Sequence, residues 1–159
     1  MASVTKPRNG FVIVITLVIA MVLMMVPLPE EVRYFRPEFV VMTLMYWTMA
    51  LPQRVGIGVG WVVGLLMDVL MGGALGVMAF SYAFAVYLIA RFHLQLRQYP
   101  LSQQALTILS VVFIVHFIAV LAANVSLSWN LWASVLVSTL LWPAMYAVLR
   151  KVRRTFQVS

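Results

Sequence analysis

A chain of 159 residues that is 64% hydrophobic and only 9% charged cannot hide its apolar surface in a soluble domain of that size, so the composition points to an integral membrane protein. There is no cysteine, which excludes disulfide frameworks, thiolate metal sites and thiol nucleophiles. The net charge of +7 would suggest nucleic acid in a soluble protein, but its distribution follows a membrane topology instead, and no nucleic-acid partner is expected.

A membrane-spanning helix needs about 20 mostly apolar residues. Six candidates follow one another: 11–26, ended by Pro27 and Pro29; 37–51, ended by Pro52; 55–71; 74–90; 101–123; and 131–149. Residues 55–90 as one helix would be about 54 Å long, far beyond a hydrocarbon core of about 30 Å, so Gly72-Gly73 is read as a turn between two spans. The expected fold is all-α, a single polytopic domain over 1–159. The longest loops fall at roughly 27–37 on one side and 91–100 on the other.

Charge tests this layout independently. One side carries Lys6, Arg8, Arg54, Arg91, Arg97, Arg150, Lys151, Arg153 and Arg154, and the other only Arg33 and Arg36. The positive-inside rule then places both termini in the cytoplasm. The first span lacks a signal-peptide cleavage context and is expected to be retained. Trp47, Trp129, Trp132, Trp142, Tyr34, Tyr99 and Tyr146 lie mostly near predicted span ends, as an interfacial belt does.

In the third span, Gly56, Gly60 and Gly64 recur every fourth residue, and Asp68 takes the next step. Four residues turn a helix by about 400°, so the glycines share one face. Small residues at this spacing let a second helix approach closely. That helix belongs either to this bundle, the simpler reading, or to a partner protein. Asp68 sits near the outer end of an apolar helix, where the macrodipole disfavours an anion, so a partner group is expected. Arg33 and Arg36 lie on the same side and are candidates for an ion pair; a hydrogen bond to loop amides is the other structural reading, and proton or ion coupling the functional one. Pro143 is expected to kink the sixth span, Asn124 to mark the end of the fifth, and His116 to be a neutral core histidine. The tail Arg150, Lys151, Arg153 and Arg154 is expected to meet anionic lipid headgroups.

No metal or cofactor is expected. His93 and His116 are far apart and have no carboxylate beside them in sequence, and the GIGVG stretch at 56–60 opens a membrane span with no strand before it. An intramembrane enzyme would need paired acids, a motif or a metal site, and the sequence offers none.

The sequence resembles the MreD family of bacterial rod shape-determining proteins, of the gammaproteobacterial type. The residues that carry the resemblance are FRP at 35–37, YW and ALP-x-R between 46 and 54, VGLLMDVLMGGALGV at 63–77, QQAL at 103–106, and LWP followed by the basic tail LRKVRRTFQV. Glu38 follows FRP where much of the family has Asp or Asn, and neither Glu38 nor His116 receives a role from the resemblance. The resemblance implies a nonenzymatic scaffold in the inner membrane. It would bind the membrane-anchored MreC and through it connect to MreB, RodA and the partner transpeptidase of RodA in lateral peptidoglycan synthesis. It also implies a fold similar to the substrate-binding subunits of energy-coupling-factor transporters. In that fold Asp68, Gly72, Gly73 and Gly76 would shape the outer mouth. The alternative is a solute-binding subunit of a vitamin-type transporter, with a cavity near Asp68, Tyr82 and Asn124.

Overall fold

The computed structural model describes residues 9–123 and 129–159. Lys6, Arg8 and Asn124 lie outside the described residues. Among the described residues, the chain forms six α-helices: α1 Phe11–Met25, α2 Phe39–Ala50, α3 Ile57–Met71, α4 Val77–Gln98, α5 Leu101–Ala123 and α6 Asn130–Thr155. A 3₁₀ turn, Arg33–Phe35, lies in the α1–α2 connection. Helices α4, α5 and α6 are each long and apolar enough to cross a membrane, and α1 and α3 are shorter apolar helices.

α2 is the centre of the bundle. At 12 residues it is only about 18 Å long. Yet Val40 through Met49 are all buried. It lies against α1, α4 and α6, which together cover every side of it. A helix enclosed all round needs no polar face, and its sequence shows none. Trp47 at its heart donates its indole N–H to Thr16 Oγ1 on α1 at 2.9 Å. Trp142 on α6 donates likewise to Gln104 Oε1 on α5 at 3.3 Å. Both tryptophans are fully buried, so they tie helices together and do not belong to the interfacial belt expected of them; Trp129, Trp132, Tyr34 and Tyr99 are exposed.

The outer helices are apolar on both faces. On α1, Val12, Ile13, Leu17, Ala20, Met21 and Met24 face the core. Val14, Ile15, Val18, Ile19, Val22 and Leu23 are exposed. On α3, Ile57, Trp61, Val62, Leu66, Val69 and Leu70 are exposed in the same way. Water does not tolerate apolar patches of this extent on a stable monomer, whereas lipid requires them.

Two helices outrun their predicted ends. α4 continues past residue 90 to Gln98, and α6 past 149 to Thr155. Hydropathy falls where arginines begin, but Arg, Lys, Gln and Leu are good helix formers, so the helix persists beyond the apolar run. The loop expected at 91–100 is therefore mostly helix, and only Tyr99-Pro100 separates α4 from α5. Pro143 lies inside α6, where the carbonyl of Thr139 loses its helical partner.

The glycine stripe of α3 is spent inside the bundle, against α4. A Cβ on Gly64 would stand 2.4 Å from Cα of Ala79 and 2.5 Å from the Met78 carbonyl oxygen. One on Gly60 would stand 2.9 Å from Val86 Cγ2 and 3.0 Å from the Tyr82 carbonyl oxygen. Gly56 precedes the first turn and has only a 4.0 Å neighbour, the carbonyl of Pro52. Gly64→Ala must push backbone from backbone, and is expected to lower stability by about 1–3 kcal/mol. Gly58→Ala, on an open face of the same helix, is expected to be neutral or to stabilise by up to about 1 kcal/mol. Thermal unfolding in detergent compares the two, and equal midpoints would contradict this packing.

Candidate functional site

Asp68 joins α3 to α4 through both its main chain and its side chain. Its carbonyl accepts the N–H of Gly72 and, at 3.1 Å, that of Gly73. Gly72 adopts a left-handed conformation, φ +67°, which closes α3 in the Schellman manner. The carboxylate reaches across the turn. Oδ2 accepts the N–H of Gly76 at 2.8 Å and of Ala79 at 3.3 Å, and Oδ1 accepts that of Met78 at 2.9 Å. The first-turn amides of a helix have no acceptor within the helix, and its positive end favours an anion. The charge disfavoured at the end of α3 is thus favoured at the start of α4. Gly76, at φ +98°, permits the sharp entry that aims these amides at the carboxylate. Gly73 has open space around it.

Neither arginine proposed for Asp68 pairs with it among the described residues. The Arg36 guanidinium donates to the carbonyls of Met24 and Val26, at the end of α1. Cations suit that end of a helix dipole. Among the described residues the carboxylate–base contact is a different one, Glu38 Oε1 with His116 Nε2 at 3.4 Å. The segment that holds Glu38 is pinned to α6. Ser134 Oγ donates to the Arg36 carbonyl at 2.7 Å, and the Glu38 N–H donates to Ser138 Oγ at 2.9 Å. Glu38 and His116, separated by about half of the chain, meet in a cleft of about 360 Å³ lined also by Arg33, Tyr34, Arg36 and Ser134. Tyr82 is fully buried and does not line this cleft, nor does Asp68. His116, expected as a hydrogen-bonded core histidine, is half-buried and faces Glu38. Its only forewarning was that both it and Glu38 are ionisable groups in an apolar chain.

A second cleft, of about 490 Å³, opens at the other end of the bundle between α4 and α6. Arg97, Arg150, Arg153 and Arg154 line it, with Tyr46, Gln104 and Tyr146. Lys151 is exposed and takes no part. The spacing explains the split: 146, 150 and 153–154 recur on one helical face, whereas residue 151 is turned about 100° from 150.

Removing the Asp68 charge tests the turn. Asp68→Asn keeps the size but sets an NH₂ against backbone donors, and is expected to cost about 1–3 kcal/mol. Asp68→Ala leaves all three amides without an acceptor and is expected to cost more. Thermal midpoints equal to the wild type would remove Asp68 from this role.

Residues 6–152 match the family model of the rod shape-determining protein MreD. A rod shape-determining protein MreD from Haemophilus influenzae is 34% identical over 148 residues, covering 91% of each chain. No solved structure matches. A match along almost the whole length, in a helical chain whose outer faces suit lipid, leads to one conclusion: the chain belongs to the MreD family of rod shape-determining proteins.

Proposed function

We propose that the protein is a nonenzymatic scaffold of the machinery that elongates the lateral cell wall. In this reading the chain crosses the inner membrane six times, with both termini in the cytoplasm. It holds the membrane-anchored MreC, and through it reaches MreB, RodA and the partner transpeptidase of RodA. Family membership supports the rod-shape role. The observation that carries the scaffold reading is the packed interior: Trp47, Trp142, Tyr82, Met42, Met45 and Met67 are fully buried around α2. A bundle filled by its own side chains offers neighbours a rigid body with apolar flanks and two charged ends. The charge asymmetry supports the orientation, because the arginine-lined cleft lies at the end assigned to the cytoplasm. With α1, α2 and α3 each shorter than a full bilayer core, the spans rest on the bundle as a unit and on interfacial anchors.

A second reading, a solute-binding subunit of a vitamin-type transporter, draws on the outer cleft at Glu38 and His116 and on the expected likeness to energy-coupling-factor subunits. Purification of the tagged chain from its own membranes, with mass spectrometry of everything retained, separates the two. The scaffold reading expects a stoichiometric MreC and rounded cells when the protein is depleted. Retention of a small solute with an ATPase module would replace it with the transporter reading.

A further inference from the structure

The basic cleft between α4 and α6 has a composition that membrane insertion alone does not call for. Four arginines, Arg97, Arg150, Arg153 and Arg154, line one concavity. The chain has four acidic residues in all, Glu30, Glu31, Glu38 and Asp68. None lines this cleft. Glu38 stands at the opposite end of α2 from Ala50, which does line it, and Asp68 is committed to the start of α4. No acidic side chain therefore lines the cleft beside the arginines.

The cleft is also built rather than incidental. Gln104, 3% exposed, donates to the carbonyls of Leu96 at 3.0 Å and Tyr99 at 3.2 Å, which fixes the α4–α5 corner beside Arg97. Beyond α6 the chain turns back through Gln157, at φ +46°, and the Val158 N–H returns to the Arg153 carbonyl at 3.1 Å. This buries Val158 as part of the wall, and Asn9 Nδ2 secures the turn by donating to the Phe156 carbonyl at 2.6 Å. Tyr46 and Tyr146, 5.5 Å apart edge to face, stand with Met49 and Ala50 on the side toward the bundle interior.

We propose that this cleft binds a phosphate-rich anion carrying at least two negative charges, and that its source is the headgroup of an anionic phospholipid. Guanidinium forks match phosphate oxygens two at a time, and several converging forks favour paired phosphates over a single diester. Basic pockets between membrane helices on the cytoplasmic side suit headgroups of this kind. The cleft opens at the end of a bundle whose outer helix faces are apolar and suit lipid, which sets it at the level of phospholipid headgroups and favours them over a freely soluble anion. The lipid source rests on the reading of the chain as membrane-embedded. The site itself does not depend on the scaffold role.

Binding is measured on the full chain purified in an uncharged detergent, by native mass spectrometry, with cardiolipin, phosphatidylglycerol and sodium pyrophosphate as probes. The expected result is saturable binding of one cardiolipin, tighter than phosphatidylglycerol. The double variant Arg97→Gln, Arg150→Gln is expected to bind cardiolipin about a hundredfold more weakly, while Lys151→Gln stays within about twofold. All three replaced side chains are exposed, so unchanged thermal midpoints verify folding. Diffuse attraction to a charged tail would instead weaken binding by similar amounts per charge removed, and equal effects of Lys151→Gln and Arg150→Gln overturn the site. Absence of saturable binding overturns it as well. Pyrophosphate binding as tightly as cardiolipin, with the same arginine dependence, supports the phosphate site and overturns its lipid source.

Discussion

A carboxylate in an apolar helix is the constraint on which this bundle turns. Left without donors in a low-dielectric interior, Asp68 would cost several kcal/mol. It is affordable because the chain reverses within a few residues and presents the amides of Gly76, Met78 and Ala79 to its oxygens. That reversal requires left-handed backbone at Gly72 and Gly76. It also requires α3 to approach the start of α4 closely, which Gly64, one turn before Asp68, permits. Charge, turn and close packing thus meet in one hairpin.

From that hairpin the rest of the bundle follows. α4, held by α3, forms one wall around α2, and α1 and α6 complete the enclosure. Because α2 is covered on all sides, its two ends are where polar chemistry can reach the surface. At the Glu38 end, Ser134, Ser138 and His116 gather around the start of α2. At the Ala50 end, the arginines of α4 and α6 converge. The protein is apolar along its length and charged at both ends, with opposite characters: mixed charge at one, purely basic at the other.

Much of this was legible in the chain and some of it was not. Apolar runs and their proline and glycine breaks located the six helices of the described residues, since lipid-facing and core-facing residues are both apolar and leave a continuous signal. The glycine stripe and the turn at Gly72 were readable because four-residue spacing fixes a helix face. The partner of Asp68 was harder to read. Hydrogen bonds to loop amides and an ion pair with Arg33 or Arg36 were both open, because backbone amides carry no side-chain signature that decides between them, and the structure shows the amides. The Glu38–His116 meeting was invisible for a related reason, since it joins residues 78 positions apart through tertiary packing. The arginine cleft was half legible. The face shared by Tyr146, Arg150 and Arg153 follows from spacing, but Arg97 was assigned to a loop because hydropathy ends before the helix does.

The central claim is that the Asp68 carboxylate holds the start of α4. Hydrogen–deuterium exchange of wild type and Asp68→Asn tests it most directly, because the Met78 and Ala79 amides have no acceptor within their own helix. The account predicts that Gly76, Met78 and Ala79 are protected in the wild type and exchange about tenfold faster or more in the variant, while amides in α5 are unaffected. Unchanged protection at these three positions would show that something other than Asp68 joins the two helices.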